Sequence, residues 1–103
     1  MCAKRTINER SIIPKKRGNG ILRREVWLDA LGTVTHYNLA YINQELCQQD
    51  NGRVIGYDNS HGEHHRHFQG HTEHVNFISF PDIEVRFARE VEALLEGRRQ
   101  WIK

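Results

Sequence analysis

Between Tyr57 and Phe68 the chain reads Tyr-Asp-Asn-Ser-His-Gly-Glu-His-His-Arg-His-Phe, a dense run of side chains able to do chemistry. Seven histidines occur, and six of them lie between His61 and His74. Imidazole titrates near pH 6.5, so at working pH it can take a proton and also give one. Cleaving RNA without a metal needs that ability twice. A base must take the 2′-hydroxyl proton, and an acid must protonate the departing 5′ oxygen. A fixed cation must also hold the phosphate, and a guanidinium fork pairs bidentately with phosphate and keeps its charge. His65, Arg66 and His67 offer all three groups in one tripeptide, although Arg66 needs a bend or a twisted edge to join the others. Asp58 can fix a histidine tautomer by accepting from its second ring nitrogen.

The same cluster offers metal ligands. His61, His64, His65 and His67, with Asp58 and Glu63 nearby, are donors that Zn, Ni or Fe would accept. No His-Glu-x-x-His or other established spacing is present. On an extended strand His65 and His67 share a face while His64 points away, so a third ligand must come from elsewhere, with Asp58 or His36 as candidates. A divalent transition metal on His61, His65 and His67 is therefore the alternative to a cofactor-free site. A third reading is a polar surface hairpin whose histidines pair with backbone carbonyls. That is the expectation for His71 and His74, which flank a turn.

Charge is distributed unevenly. Residues 1–24 carry eight Lys or Arg against one acid, Glu9, a balance of +7, while the remainder holds seven basic and twelve acidic residues, a balance of −5. A basic arm on a slightly acidic body suits contact with phosphate or an acidic protein surface, with Lys15, Lys16, Arg17, Arg23 and Arg24 as RNA-binding candidates. With 38% hydrophobic and 27% charged residues the chain reads as globular rather than disordered. No apolar run approaches the ~20 residues that span a bilayer. The polar start Met-Cys-Ala-Lys-Arg lacks the core of a secretion signal, so the expected compartment is the cytoplasm, with Cys2 and Cys47 as ordinary reduced thiols.

The elements that must position the site follow from periodicity. Residues 1–20, interrupted by Pro14 and Gly18-Asn19-Gly20, read as a basic arm, and residues 21–103 as a single domain. Ile21 to Ala30 alternates as a strand with one wet face, and Thr33 to Ile42 is rich in strand formers. Asn51-Gly52 is a favoured type I′ dipeptide, placing a hairpin between that strand and Arg53 to Asp58. His64 to Phe68 makes a short strand, and Val75 to Ser79 a final one. Ser79 and Asp82 resemble a capping box, and Ile83, Phe87, Val91, Leu94 and Leu95 form a helical stripe that Gly97 ends. The expected fold is α+β: an antiparallel β-meander of four to five strands packed against one long C-terminal helix. A long exposed edge strand would favour a homodimer or pairing with another protein.

Tyr57-Asp58-Asn59, then Gly62, then His65-Arg66-His67 resembles the TumE family of small bacterial toxin–antitoxin proteins. Tyr37 to Ile42 is similar to the family's preceding strand, and Asn76 to Phe80 with the helix through Phe87 to its C-terminal half. The resemblance covers residues 25 to 96. It implies a toxin whose gene adjoins that of a helix-turn-helix antitoxin, which neutralises it by direct contact, and a reaction on RNA. Position by position, Asp58, His65, Arg66 and His67 match the motif. Tyr57, Asn59, His61 and His64 form a second rank. His64 stands where many members have Asp, and His61 and Glu63 add groups not generally found there. The combined reading is the toxin of a type II module, a metal-independent endoribonuclease using His65 and His67 for acid–base catalysis with Arg66 on the phosphate. The alternative is a non-catalytic or metal-responsive regulatory protein whose His-rich hairpin is a recognition surface.

Overall fold

Each strand follows its predecessor across a turn closed by local residues. In the computed structural model, which describes residues 5–102 (backbone alone at Arg5, His61 and residues 99–102), six strands precede one helix. Strands β1 (Arg5–Ile13), β2 (Gly20–Leu28), β3 (Val34–Ile42), β4 (Arg53–Asp58), β5 (His65–Phe68) and β6 (His71–His74) lie side by side in chain order, every neighbouring pair antiparallel. Helix α1 (Phe80–Ile102) then folds back over one face. The expected α+β meander under a C-terminal helix is therefore the observed fold, with six strands instead of four or five.

After β1 the Pro14 carbonyl accepts from the amides of Arg17 and Asn19, at 2.9 and 3.0 Å. After β2 the Asp29 carboxylate accepts from the amides of Leu31 and Thr33, at 2.9 and 3.0 Å. Between β5 and β6 the chain reverses over Gln69 and Gly70, both at positive φ (47° and 85°), as a two-residue hairpin that matches strand twist requires. The sequence places that kind of turn at Asn51-Gly52 instead. There the chain takes a longer connection, residues 43–52, in which Asp50, Asn51 and Gly52 are successively left-handed at φ 51°, 56° and 83°.

The core lies between α1 and the face of the sheet formed by Val26, Leu28, Tyr37, Leu39, Tyr41, Ile55 and Tyr57, with Ile83, Val91 and Leu95 opposing them. Phe87 and Leu94 widen the helical stripe as expected. Ser79 Oγ accepts from the Asp82 amide at 3.2 Å, so the predicted cap is present.

Three elements differ from expectation, each for a physical reason. Residues 5–13, placed by sequence in a loose basic arm, form β1, paired with β2 at nine positions; residues 1–4, including Cys2, lie outside the described residues. An edge strand held by backbone hydrogen bonds and burying little, with Ile12 72% exposed, writes almost no alternation into its side chains. Val75 to Ser79 is no strand. Val75 donates to the His64 carbonyl at 2.9 Å, one residue beyond β6, and the chain then leaves the sheet. Gly97 does not end the helix either. A helical glycine costs about 1 kcal/mol relative to alanine, which the packing of neighbouring residues outweighs. Leu95 is buried, and Arg98 Nε donates to the Gly18 carbonyl at 2.9 Å.

Ile83 has no exposed surface, so Ile83→Ala should cost about 2–5 kcal/mol by chemical denaturation. Gly97 has nothing within 4 Å of an added Cβ, so Gly97→Ala should stabilise the chain by about 0.5–1 kcal/mol in the same measurement.

Candidate active site

Strand alternation divides the conspicuous tripeptide. Opposite β5, Tyr57 pairs with Arg66 and Ile55 with Phe68, and these four residues face α1. Asp58 pairs with His65 and Gly56 with His67, and these project from the other face, which no second layer covers among the described residues. His65 and His67 therefore share this face, as their spacing predicts, and the β4–β5 register brings Asp58 to them. Arg66 does not join them.

Asp58 is 6% exposed, and its partners account for its burial. Oδ2 takes His67 Nε2 at 2.7 Å and Arg53 Nη1 at 3.3 Å, while Oδ1 accepts from the Ser60 amide at 3.3 Å. His65 Nδ1 lies 3.8 Å from Oδ1, and His65 Nε2 lies 3.5 Å from Glu63 Oε2. With Nε2–H of neutral His67 donated to Asp58, its Nδ1 accepts from the Thr72 hydroxyl at 3.2 Å. The His65 and His67 rings are 6.4 Å apart between centroids and tilted 58° to each other. The cluster is a carboxylate-oriented imidazole with a second, less constrained imidazole beside it.

The cation beside this pair is Arg53. An irregularity in the β3–β4 register places Arg53 opposite Ile42, where regular pairing would have put Val54. The extra residue turns Arg53 toward the uncovered face. Its stem then crosses Gly56, where an added Cβ would sit only 2.5 Å from Arg53 Cδ. The guanidinium reaches Asp50 (Nε to Oδ2, 2.7 Å) as well as Asp58. Asp50, on the left-handed loop, also lies 3.8 Å from His67 Nδ1. Sequence reasoning missed Arg53 and Asp50 because strict alternation puts Arg53 with Ile55 and Tyr57 on the helix side. The missing side chain at Gly56, two residues before Asp58, is the one trace of this path in the sequence.

The remaining candidates have structural partners. Arg66 Nε donates to both oxygens of Glu90, at 2.9 and 3.2 Å, Nη1 pairs with Glu73 at 3.0 Å, and the guanidinium lies 5.0 Å over the Phe68 ring. The Glu90 bond holds the Arg66 pKa above its usual value. Tyr57 also donates to Glu90, and burial first, then that carboxylate, pushes the phenol up to about 12. Asn59 clamps β3, accepting from the Tyr37 amide at 2.9 Å and donating to the Thr35 carbonyl at 3.0 Å. His64 lies on the helix side, its Nδ1 2.8 Å from the Tyr37 hydroxyl and its ring stacked 3.8 Å from Phe77. The His61 side chain is outside the described residues. His71 and His74 are exposed, as a surface hairpin would have them, but they are the two ends of strand β6 and do not flank a turn, which lies at Gln69-Gly70.

The basic candidates separate in the same way. Lys15, Lys16 and Arg17 form the β1–β2 turn, exposed to solvent. Arg23 is on the uncovered face, ion-paired with Glu25 at 2.7 Å. Arg24 is on the helix side between Glu84 and Glu9, whose bonds hold its guanidinium pKa up. Among the described residues, no group of three or more His, Cys, Asp or Glu side chains is arranged to hold a metal ion.

Fold and site together define a small sheet-and-helix protein that presents an Asp–His pair from the bare side of its sheet. A family model described as Toxin TumE matches residues 19–99, from just before β2 to near the end of α1. The chain belongs to the TumE toxin family, and a toxin of this kind implies an antitoxin partner. Comparison with curated proteins and with solved structures gave no significant match. Among the described residues no helix is long and apolar enough to cross a membrane.

Burial first, then the nearby His74 and His65, lowers the pKa of His64. The unfolded chain thus binds this proton more readily, so the contribution to stability is complete above the unfolded value and declines as pH falls toward the lowered native one. Thermal melts at about pH 7.5 and about pH 5.5, on either side of the ordinary imidazole value, should show a loss on the acid side. His64→Phe, which keeps a ring against Phe77, should show a smaller one.

Proposed function

We propose that this chain is the toxin of a type II toxin–antitoxin module and that it acts as a metal-independent endoribonuclease. The observation that carries this reading is the His67–Asp58 contact with His65 beside it on an uncovered, cation-bearing face. His67 takes the 2′-hydroxyl proton, and Asp58 holds the ring and stabilises the imidazolium that forms. The freed 2′ oxygen attacks the adjacent phosphorus, and the bond to the 5′ oxygen breaks. His65 donates a proton to that leaving oxygen, giving a 2′,3′-cyclic phosphate and a 5′-hydroxyl end. Arg53 holds the phosphate as charge builds on its oxygens, the task that sequence assigned to Arg66. Lys15, Lys16, Arg17 and Arg23 contact the RNA backbone, and such binding weakens steeply as salt rises.

The antitoxin in this reading is a helix-turn-helix protein that neutralises by direct contact. The outer edges of β1 and β6, unpaired among the described residues, offer backbone groups to it or to a second copy of the chain.

Expression in a bacterium without an antitoxin should arrest growth and fragment total RNA. His67→Ala should lower cleavage by about 10²- to 10⁴-fold. Cleavage by the purified chain should persist in EDTA. Loss in EDTA with recovery on adding a divalent transition metal would favour a metal site built on His61, His65 and His67. Normal growth with intact RNA would leave the non-catalytic regulatory reading.

The two arginines should part company. Arg53→Met should reduce cleavage by the folded fraction by about 10²-fold or more, beyond the stability it loses with the Asp50 and Asp58 ion pairs. Arg66→Met should destabilise the fold by about 1–3 kcal/mol, since it leaves Glu90 without its guanidinium, while the folded fraction keeps its activity. The reverse pattern in a cleavage assay paired with denaturant melts would return the phosphate to Arg66.

A further inference from the structure

The uncovered face continues beyond the histidines, and the sheet register maps it. One row across the strands is Glu25, Asn38, Asp58, His65 and His74; the neighbouring row is Arg23, Ala40, Gly56, His67 and Thr72. Trp27 and His36 pair with each other two residues further along β2 and β3, roughly 7 Å from the Asp58 row at strand spacing. Their rings meet edge to face with centroids 6.2 Å apart. Beside them is a groove of about 330 Å³ lined by Trp27, His36, Tyr37, Asn38, Asn59 and Ser60. On the other side of Asn38 a second groove, about 230 Å³, runs over Ala40 between Arg23 and Arg53.

Asn38 forms the wall between the two grooves, and its side-chain Oδ1 is buried with no hydrogen-bond partner. A buried acceptor left empty calls for an N–H donor. A half-buried tryptophan beside it supplies a broad apolar ring, on which no other aromatic ring of the described residues is stacked parallel. An aromatic face, a vacant acceptor and flanking guanidinium groups are together the requirements for an unpaired nucleotide, whose base stacks, presents N–H groups and carries a phosphate.

We infer that the groove walled by Trp27, His36 and Asn38 is a nucleobase subsite for the unpaired RNA nucleotide next to the scissile phosphate. Trp27 is the stacking platform, with the His36 ring set edge to face against it. The Asn38 amide turns to offer its unpartnered Oδ1 to an N–H of the base edge, and Arg23 takes a neighbouring phosphate. The inference rests on the ribonuclease reading above and adds to it a preference for single-stranded substrate. In duplex RNA the base is stacked on its own neighbours and cannot enter the groove.

The test uses the full chain carrying His67→Ala, to prevent cleavage, and Trp101→Phe, which leaves Trp27 as the only tryptophan. A short single-stranded RNA should quench Trp27 emission as it binds, and the same sequence as a duplex should bind with little quenching. By fluorescence anisotropy of labelled RNA, Trp27→Ala should weaken binding by about 5- to 100-fold, and Trp27→Phe, which keeps a ring and the fold, by much less. Asn38→Ala should alter the ranking among homopolymeric RNAs. If single-stranded RNA binds with Trp27 emission unchanged and both Trp27 variants bind like the parent, the subsite is wrong while the ribonuclease reading stands. If no variant binds RNA and the unaltered chain cleaves none, both are overturned.

Discussion

The two-residue alternation of β4 and β5 is the constraint on which the rest of the structure depends. Antiparallel pairing sets Tyr57 against Arg66 and Asp58 against His65. Because successive side chains leave a strand on opposite sides, residues adjacent in sequence are committed to opposite environments. Tyr57 and Arg66 meet Glu90 from α1 and fasten the helix to the sheet. Asp58, His65 and His67 go to the side that α1 leaves bare. A single stretch of chain thus builds both the attachment of the one long helix among the described residues and the Asp–His cluster. Asn59 then ends β4 by satisfying two backbone groups of β3, which fixes Asp58 at the end of the strand.

The second layer of organisation is an irregularity in that alternation. The extra residue in β4 opposite Tyr41 and Ile42 turns Arg53 from the helix side to the bare side, and the missing side chain of Gly56 lets its stem pass. Asp50 meets the guanidinium from a loop with three successive left-handed residues, a conformation that Asp, Asn and Gly adopt at less cost than other residues. The result is a chain of contacts, Asp50–Arg53–Asp58–His67, in which a cation is shared by two carboxylates and one of those carboxylates orients an imidazole. A phosphate arriving here would compete with the carboxylates for the guanidinium. That gives the site a way to hold Arg53 in position before substrate binds.

Much of the fold was legible. β2 to β5 and the helix start each have a local cause: alternation under a packed face, turn residues, a Ser79 cap. Elements held mainly by backbone hydrogen bonds were not. β1 is an edge strand with little burial, and β6 is fully exposed, so neither needs a side-chain pattern to form. Val75 to Ser79 has strand composition, yet Phe77 is used against His64 and not in a ladder. For the site, period two put His65 and His67 on one face from sequence alone, and the β4–β5 register added Asp58. The same rule, applied without the bulge, hid Arg53. It also made Arg66 attractive only by neglecting that Arg66 stands between two residues of the opposite face.

By itself the sequence determined that His65 and His67 share one side of a strand, because that follows from spacing and from nothing further away. It also determined the TumE family, through the combination Tyr57-Asp58-Asn59, Gly62 and His65-Arg66-His67 that the family model matches within residues 19–99. Only the tertiary structure decided which arginine stands with the histidines. That choice depends on a one-residue slip between strands and on which face α1 covers, and both are set by packing between segments distant in the chain.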